Sequence, residues 1–568
     1  MVPMRDGVGL ATDVWIPDGG PVPTLIVRHP YGKVQSITAI PSNPNIVMLL
    51  DAGYAVVWQD CRGAFDSEGE FTAMADEPHD GVDTIEWVRR QPWSDGTVGT
   101  YGGSYLGFTQ WAAASQAPEG LLAIAPMMTS TDYYRHPWYS EGGAMSWHTV
   151  WTWCHGRALM DQQRSLAAGT GDLQVLMAFA TALADPEPHL AGMPAEQDLL
   201  DAHLPFWKDW MRHAERDDFW QSLSVLEHLD TITTPALHVG GWFDIFIGST
   251  ALSYTRMRAQ AGTPEAREGQ QLIIGPWDHV TNTHSYPDRQ FGLTSSVAAS
   301  DLTGAHVAFF DRWLRGRTDA LDGRSPVRIF VMGIDQWRDE ADWPLPDTAY
   351  TDYYLDGAGS ANTAEGDGVL RSDLPSAEAD DTYTYDPADP VPSLGGRTLL
   401  PFEVNGAGPA DQTPVESRDD VLCFSTPVLD APVEVTGHVT LVLHVSSSAR
   451  DTDFTGKLVD VHPDGRALYL TDGILRARYR GSLSEPELLE PDHVYEITLD
   501  LSVTSNVFLE GHRIRLEVSS SNFPRYDRNT NTGGTINTET LDQAVVATNH
   551  VLHGPEHPSR LVLPIIRR

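Results

Sequence analysis

The feature that most constrains this chain is an alternation, in its first part, between short apolar β-branched runs and longer helical ones. "PTLIVRH" ends in the turn "PYG", and "YAVVWQD" is a second run of the same kind, ending at Asp60. "DEPHDGVDTIEWVRRQPW" reads as a helix: acidic residues lead it, Arg89 and Arg90 close it, and Pro92 stops it. "TVGTY" is then a strand, "SYLGFTQWAAASQAP" a helix closed by Pro118, and "LLAIAPMM" a buried strand. The rhythm resumes with "PALHVGGW", "GSTALSYTRMRAQ", "QLIIG" and "AHVAFFDRWLRG". Strands spaced by helices of this length imply a parallel sheet with helices on both faces.

Two departures from the rhythm divide the 568 residues, a length that calls for several domains. Residues 132–231 are rich in Trp and Tyr, with helical stretches such as "DLQVLMAFATALAD" and "FWKDWMRHAERDDFWQSL". They read as a helical insertion over the sheet, so that 1–131 and 232–346 form one domain. Beyond "WPLPDTAY", a polar stretch from "DGAGSANTAEGDG" through "NGAGPADQTPVES" is loop-like. "VEVTGHVTLVLHV", "GKLVDVHP", "ALYLTDG", "VYEITLDL", "RIRLEVSS" and "SRLVLPII" then follow as short strands without a long helix. Residues 347–568 are therefore expected to be an all-β sandwich or jelly roll.

A formal charge of -40 argues against nucleic acid or an anionic membrane as partner. No stretch approaches the roughly 18 to 20 apolar residues of a membrane helix, and the N-terminus has no apolar export region. Cys61, Cys154 and Cys423 are few and far apart, which fits reduced thiols in a cytoplasm and gives no zinc spacing. No metal or cofactor is expected, and the acidic "ARDTDF" at 449–454 reads as a solvated turn. A small molecule is the expected partner. The sequence does not set an oligomeric state, and a homodimer or higher homo-oligomer is compatible with it.

Chemistry concentrates at strand ends. In "GTYGGSYLG", Ser104 lies between a strand and a helix, where open α/β sheets place their sites. It reads either as a nucleophile on a tight turn, with the Tyr105 amide as oxyanion donor, or as an ordinary helix N-cap. The G-x-S-x-G spacing fails at Leu106, since the glycine comes one residue later at Gly107. A serine nucleophile needs an acid and then a histidine further along the chain. Asp244 follows "PALHVGGW" and His279 follows "QLIIGPWD", in that order, with Asp278 and Asp60 as rival acids.

"DGVDTIEWVRRQPWSDGTVGTYGGSYLGFTQW" closely resembles the nucleophile region of bacterial cocaine-esterase-like hydrolases, the CocE/NonD family. That family shares a clan with X-Pro dipeptidyl-peptidases and α-amino acid ester hydrolases. Blocks such as "RHPYGK", "QDCRGAFDSEGEF", "HVGGWFDIF", "IIGPWDH" and "FVMGIDQWRDEADWPLP" extend the resemblance along nearly the whole chain. It implies an α/β-hydrolase domain with an inserted helical cap and a C-terminal jelly roll. Its serine motif is G-x-S-Y-x-G, which accommodates Leu106. It also implies Ser104 as nucleophile, Asp244 as orienting acid, His279 as base, and the Tyr31 hydroxyl beside the Tyr105 amide as oxyanion donors. Trp138, Trp153 and Phe246 match pocket aromatics of the esterase branch, and residues 34–46 should border the site. The amino-ester branch instead carries an acid two places after its serine, where this chain has Leu106. The implied activity is hydrolysis of carboxylic esters through an acyl-enzyme, with X-Pro peptidase or acylase activity as alternative; a non-catalytic jelly-roll binding protein is the remote third reading.

Overall fold

The computed structural model describes residues 1–33, 44–399 and 406–568. Among these, nine strands build the first sheet: β1 (Thr12–Trp15), β2 (Val22–His29), β3 (Ala55–Asp60), β4 (Ser94–Gly103), β5 (Leu121–Met127), β6 (Leu237–Phe243), β7 (Gln271–Asp278), β8 (Val327–Val331) and β9 (Gln336–Glu340). They lie in the order β9-β8-β7-β6-β5-β4-β2-β3-β1. From β8 to β3 all neighbours are parallel, and antiparallel β1 and β9 close the two edges.

The central strands are apolar on both faces because both faces are covered. Leu25, Val27, Val56 and Trp58 point into a core shared with Phe309 and Phe310 of helix Leu302–Leu314. Ile26 and Val57, one residue out of phase, join Ile85, Phe108 and Trp111 on the other side. The last three come from α1 (Glu77–Arg89) and α2 (Tyr105–Ala114). This two-sided burial is what a continuous apolar run in a parallel sheet requires.

Between β5 and β6 the chain leaves the sheet for a helical insertion whose longest element is α3 (Trp147–Ala167). The stretch "FWKDWMRHAERDDFWQSL" is two helices, Pro205–Arg212 and Asp218–Leu223, rather than one. His213 ends the first and Asp217 caps the second through Phe219, and the two side chains meet at 2.5 Å.

From Thr348 on, eleven strands form a second sheet system, with edges at Ala379–Tyr385 and Ala467–Arg476. Part of the polar stretch expected to be loop is strand: Val369–Arg371 and Ala379–Tyr385. In "ADDTYTY" Asp381, Tyr383 and Tyr385 point inward and alternate with exposed Asp380, Thr382 and Thr384, Asp381 being held by His553 at 2.8 Å, so a half-buried strand looked like a turn-rich linker. The two sheets join directly, because the Met332 backbone bonds Ser505 and Val507 at 3.1 and 2.9 Å.

"ARDTDF" is not a solvated turn. Asp451 and Asp453 are buried. Arg476 holds both oxygens of Asp453 at 3.0 Å and reaches Asp527 at 2.9 Å, while Arg478 holds Asp451 at 2.7 Å. Asn529 Nδ2 bonds Asp453 at 2.7 Å and Asp451 at 3.0 Å. Partners 23 to 78 residues away hold these carboxylates inside the sheet, and no local pattern announces them.

Candidate active site

Ser104 occupies the junction of β4 and α2 with φ 60° and ψ -128°. A non-glycine residue held there stores about 1–3 kcal/mol, which the surroundings must over-determine. Its amide donates to Met127 O and Met128 O at 2.9 and 3.1 Å, and Thr129 Oγ1 donates to its carbonyl at 2.7 Å. The turn also depends on Gly107: a Cβ there would stand 2.5 Å from Thr129 Cγ2. That contact explains a glycine one place later than the common elbow spacing. Although Ser104 precedes α2, its side chain makes no capping bond.

The hydroxyl faces His279 instead, with Oγ 3.1 Å from Nε2. His279 follows β7, and its Nδ1 lies 2.7 Å from Asp244 Oδ1, just past β6. A carboxylate can only accept, so Nδ1 carries the proton and the Nε2 lone pair is left for the serine. Asp244 is fully buried, which pushes its carboxyl up, while the adjacent His279 pulls it back. The rival acids are engaged elsewhere. Asp278 accepts from Thr281 N, Thr281 Oγ1 and Asn282 N, at 2.6 to 2.9 Å. Asp60 accepts from the Lys33 amide at 2.7 Å and stands 3.6 Å from Lys33 Nζ.

Tyr31 and Tyr105, the first residue of α2, line the same cavity as Ser104. Trp153 Nε1 donates to the Tyr31 hydroxyl at 3.0 Å. An indole N–H cannot accept, so the phenol oxygen takes this bond and keeps its own proton to give. Burial raises the Tyr31 pKa, and its hydrogen bonds to Trp153 and Ser104 pull it back. At neutral pH it is a protonated donor beside the serine.

The Tyr105 ring has a separate task, which the sequence did not disclose. Its hydroxyl donates to Glu77 Oε1 at 3.0 Å and accepts from the Met74 amide at 2.8 Å. Glu77 in turn pairs with buried Arg28 at 2.8 Å, which anchors the start of α2 against α1. The signal available was a charged pair, Arg28 inside an apolar strand and Glu77 at a helix start, whose meeting only the fold reveals.

These groups open into a cavity of about 470 Å³. Trp138, Trp153 and Phe246 all line it, with Trp138 and Trp153 centroids 5.1 Å apart and Phe246 5.2 Å from the His279 ring. Helix α3 supplies one wall through Thr149, Thr152, Trp153, Gly156, Arg157 and Met160, a stripe at helical spacing. Sequence reasoning singled out only Trp153 of these. Among the described residues no Asp or Glu lines the cavity, and Arg157 is its charged member, paired with Asp161 and 4.5 Å over the Phe71 ring. The segment 34–46, expected at the border, lies outside the described residues as far as 43.

One other cluster brings metal-type donors together, Asp460, His462 and His512. Its 2.7 Å contact between His512 Nδ1 and Asp460 Oδ1 is a hydrogen bond, closer than the roughly 3.3 Å between two ligands of one tetrahedral ion. Among the described residues no helix is long and apolar enough to cross a membrane.

The sequence pattern of the X-Pro dipeptidyl-peptidase (S15 family) matches residues 6–281, and that of the X-Pro dipeptidyl-peptidase C-terminal non-catalytic domain matches residues 319–562. The chain is 51% identical to the cocaine esterase of Rhodococcus sp. (strain MB1 Bresler), over all of this chain and 98% of that one. Among solved structures, an aminopeptidase from a marine sediment Thaumarchaeota archaeon superposes with a TM-score of 0.82 at 28% identity, covering 100% of this chain and 96% of that one. An α-amino acid ester hydrolase gives 0.80 at 25% identity, covering 100% and 95%.

Proposed function

Since the chain belongs to the X-Pro dipeptidyl-peptidase (S15) family, among its cocaine-esterase-like (CocE/NonD) members, we propose that its cleft hydrolyses carboxylic esters with Ser104, His279 and Asp244 as the working triad. The observation that carries this reading is the continuous contact from Asp244 through His279 to a strained Ser104, at 2.7 and 3.1 Å.

The reaction runs in two halves. His279 Nε2 takes the Ser104 proton as Oγ attacks the ester carbonyl, and Asp244 steadies the imidazolium that forms. The Tyr31 hydroxyl and the Tyr105 amide hold the tetrahedral oxyanion, contacts whose individual loss typically costs ~10²–10³ in rate. His279 then protonates the departing alcohol, and water repeats the sequence on the acyl-enzyme. Desolvation of Asp244 is offset by this work, since its carboxylate is most needed when the histidine is charged.

The lining of the cavity favours esters over peptides with a free amino terminus. A substrate ammonium needs a carboxylate, and among the described residues none lines the cavity. Leu106, fully buried, also fills the place of the acid found in the amino-ester branch. Three buried free thiols support a reducing, cytoplasmic setting, and the charge of -40 supports a partner that is neither nucleic acid nor anionic membrane. Ser104→Ala is expected to abolish p-nitrophenyl ester turnover and fluorophosphonate labelling while the thermal midpoint holds. Residual turnover at the wild-type rate would overturn the assignment.

A further inference from the structure

Gly156 is out of place by every ordinary criterion for a helix glycine. It sits inside the 21-residue helix α3, where glycine is the least favourable residue short of proline. Its φ is not in the left-handed region, so no backbone conformation demands it. No close approach demands it either, because among the described residues a Cβ at this position would meet nothing within 4 Å. Compare Gly107, whose Cβ would overlap Thr129 at 2.5 Å. What remains is the location: Gly156 is at the middle of the α3 stripe that walls the cavity, one turn from Thr152 and from Met160.

We propose that Gly156 is a specificity-determining residue, and that the space it leaves admits a bulky apolar acyl group of bicyclic-aromatic size. The inference rests on the esterase reading and adds the substrate class to it. The neighbouring lining supports an apolar group, since Trp138, Trp153, Phe246, Met160 and Leu399 share the cavity. Its volume of about 470 Å³ lies within the 300–1,000 Å³ that small-molecule sites typically show. A larger side chain at 156 would project from α3 into this space, because among the described residues nothing stands within 4 Å of its Cβ position.

The test holds the alcohol constant and varies the acyl group: p-nitrophenyl acetate, benzoate and 2-naphthoate, assayed with the wild type, Gly156→Ala and Gly156→Leu. The wild type is expected to show a higher kcat/KM on 2-naphthoate than on acetate. Gly156→Leu should lower the naphthoate-to-acetate ratio of kcat/KM at least tenfold, since a misfit of a methylene or more in an apolar pocket is worth about 10–200-fold. Gly156→Ala should shift the ratio less and raise the thermal midpoint, because the helix gains a better former without a clash. An unchanged ratio in Gly156→Leu, with acetate still turned over, overturns this inference and leaves the esterase reading intact. Failure of the wild type to hydrolyse any of the three esters overturns both.

Discussion

The cleft at the edge of the nine-stranded sheet and the interior of the eleven-stranded one both bury charge, and they do so in opposite ways. In the second sheet Asp453 meets Arg476 through both oxygens and Asn529 through one, so both oxygens are held and the charge faces a guanidinium. In the cleft Asp244 is equally dry, yet its close side-chain partner is the His279 imidazole at Oδ1, with the Phe246 amide also hydrogen-bonded to the carboxylate. A fully answered ion pair holds a structure in place. A carboxylate that faces an imidazole rather than a guanidinium keeps its field, on the proposed mechanism, for a charge that appears only during the reaction. On that mechanism, the same residue type in the same degree of burial serves stability in one region and turnover in the other.

The contrast can be broken by exchanging readouts. Asp244→Asn should lower kcat by ~10⁴, since the amide no longer fixes the His279 tautomer, with little change in the thermal midpoint. A large fall in stability with modest loss of rate would mean that Asp244 is structural after all. Arg476→Met should do the reverse, leaving Asp453 and Asp527 buried without their cation. Urea unfolding should show a loss of about 3–5 kcal/mol, while kcat for the folded fraction stays near wild type.

Smaller effects sharpen the boundary between the regions. Tyr31→Phe should cost ~10²–10³ in kcat with KM nearly unchanged, because the lost donor acts in the transition state. Trp153→Phe keeps an aromatic wall but removes the indole N–H that fixes the Tyr31 hydroxyl. The expected loss is about tenfold, the scale of one hydrogen bond, and it should vanish in the Tyr31→Phe background. Additive losses in that double variant would show that Trp153 acts through packing alone.

What the sequence disclosed follows the same division. Strand ends of a parallel sheet converge on one edge, so Ser104, Asp244 and His279 could be selected from local pattern and chain order. Tyr31 could not, because nothing around "HPYGK" distinguishes a donor from a packing aromatic; resemblance supplied it. Trp153 was expected as pocket lining, and its bond to Tyr31 spans 122 residues. The acids of "ARDTDF" were misread for the same reason, since Arg476, Asn529 and Asp527 stand far along the chain. "ADDTYTY" has the period of a strand, but its polar composition outweighed that period in the reading. Local alternation carries topology well; it carries little about which distant groups will share a proton or a charge.

The Trp153 bond to Tyr31 also bears on how molecules get in and out. Trp153 belongs to the inserted helices and Tyr31 to the loop after β2, so one hydrogen bond at 3.0 Å ties the insertion to the oxyanion site. A cap that swung away from the sheet would release the Tyr31 hydroxyl, the proposed oxyanion donor, from the indole that orients it. Opening the insertion would break this bond, and Val280, a lining residue that is 57% exposed, belongs to the described rim of the cavity.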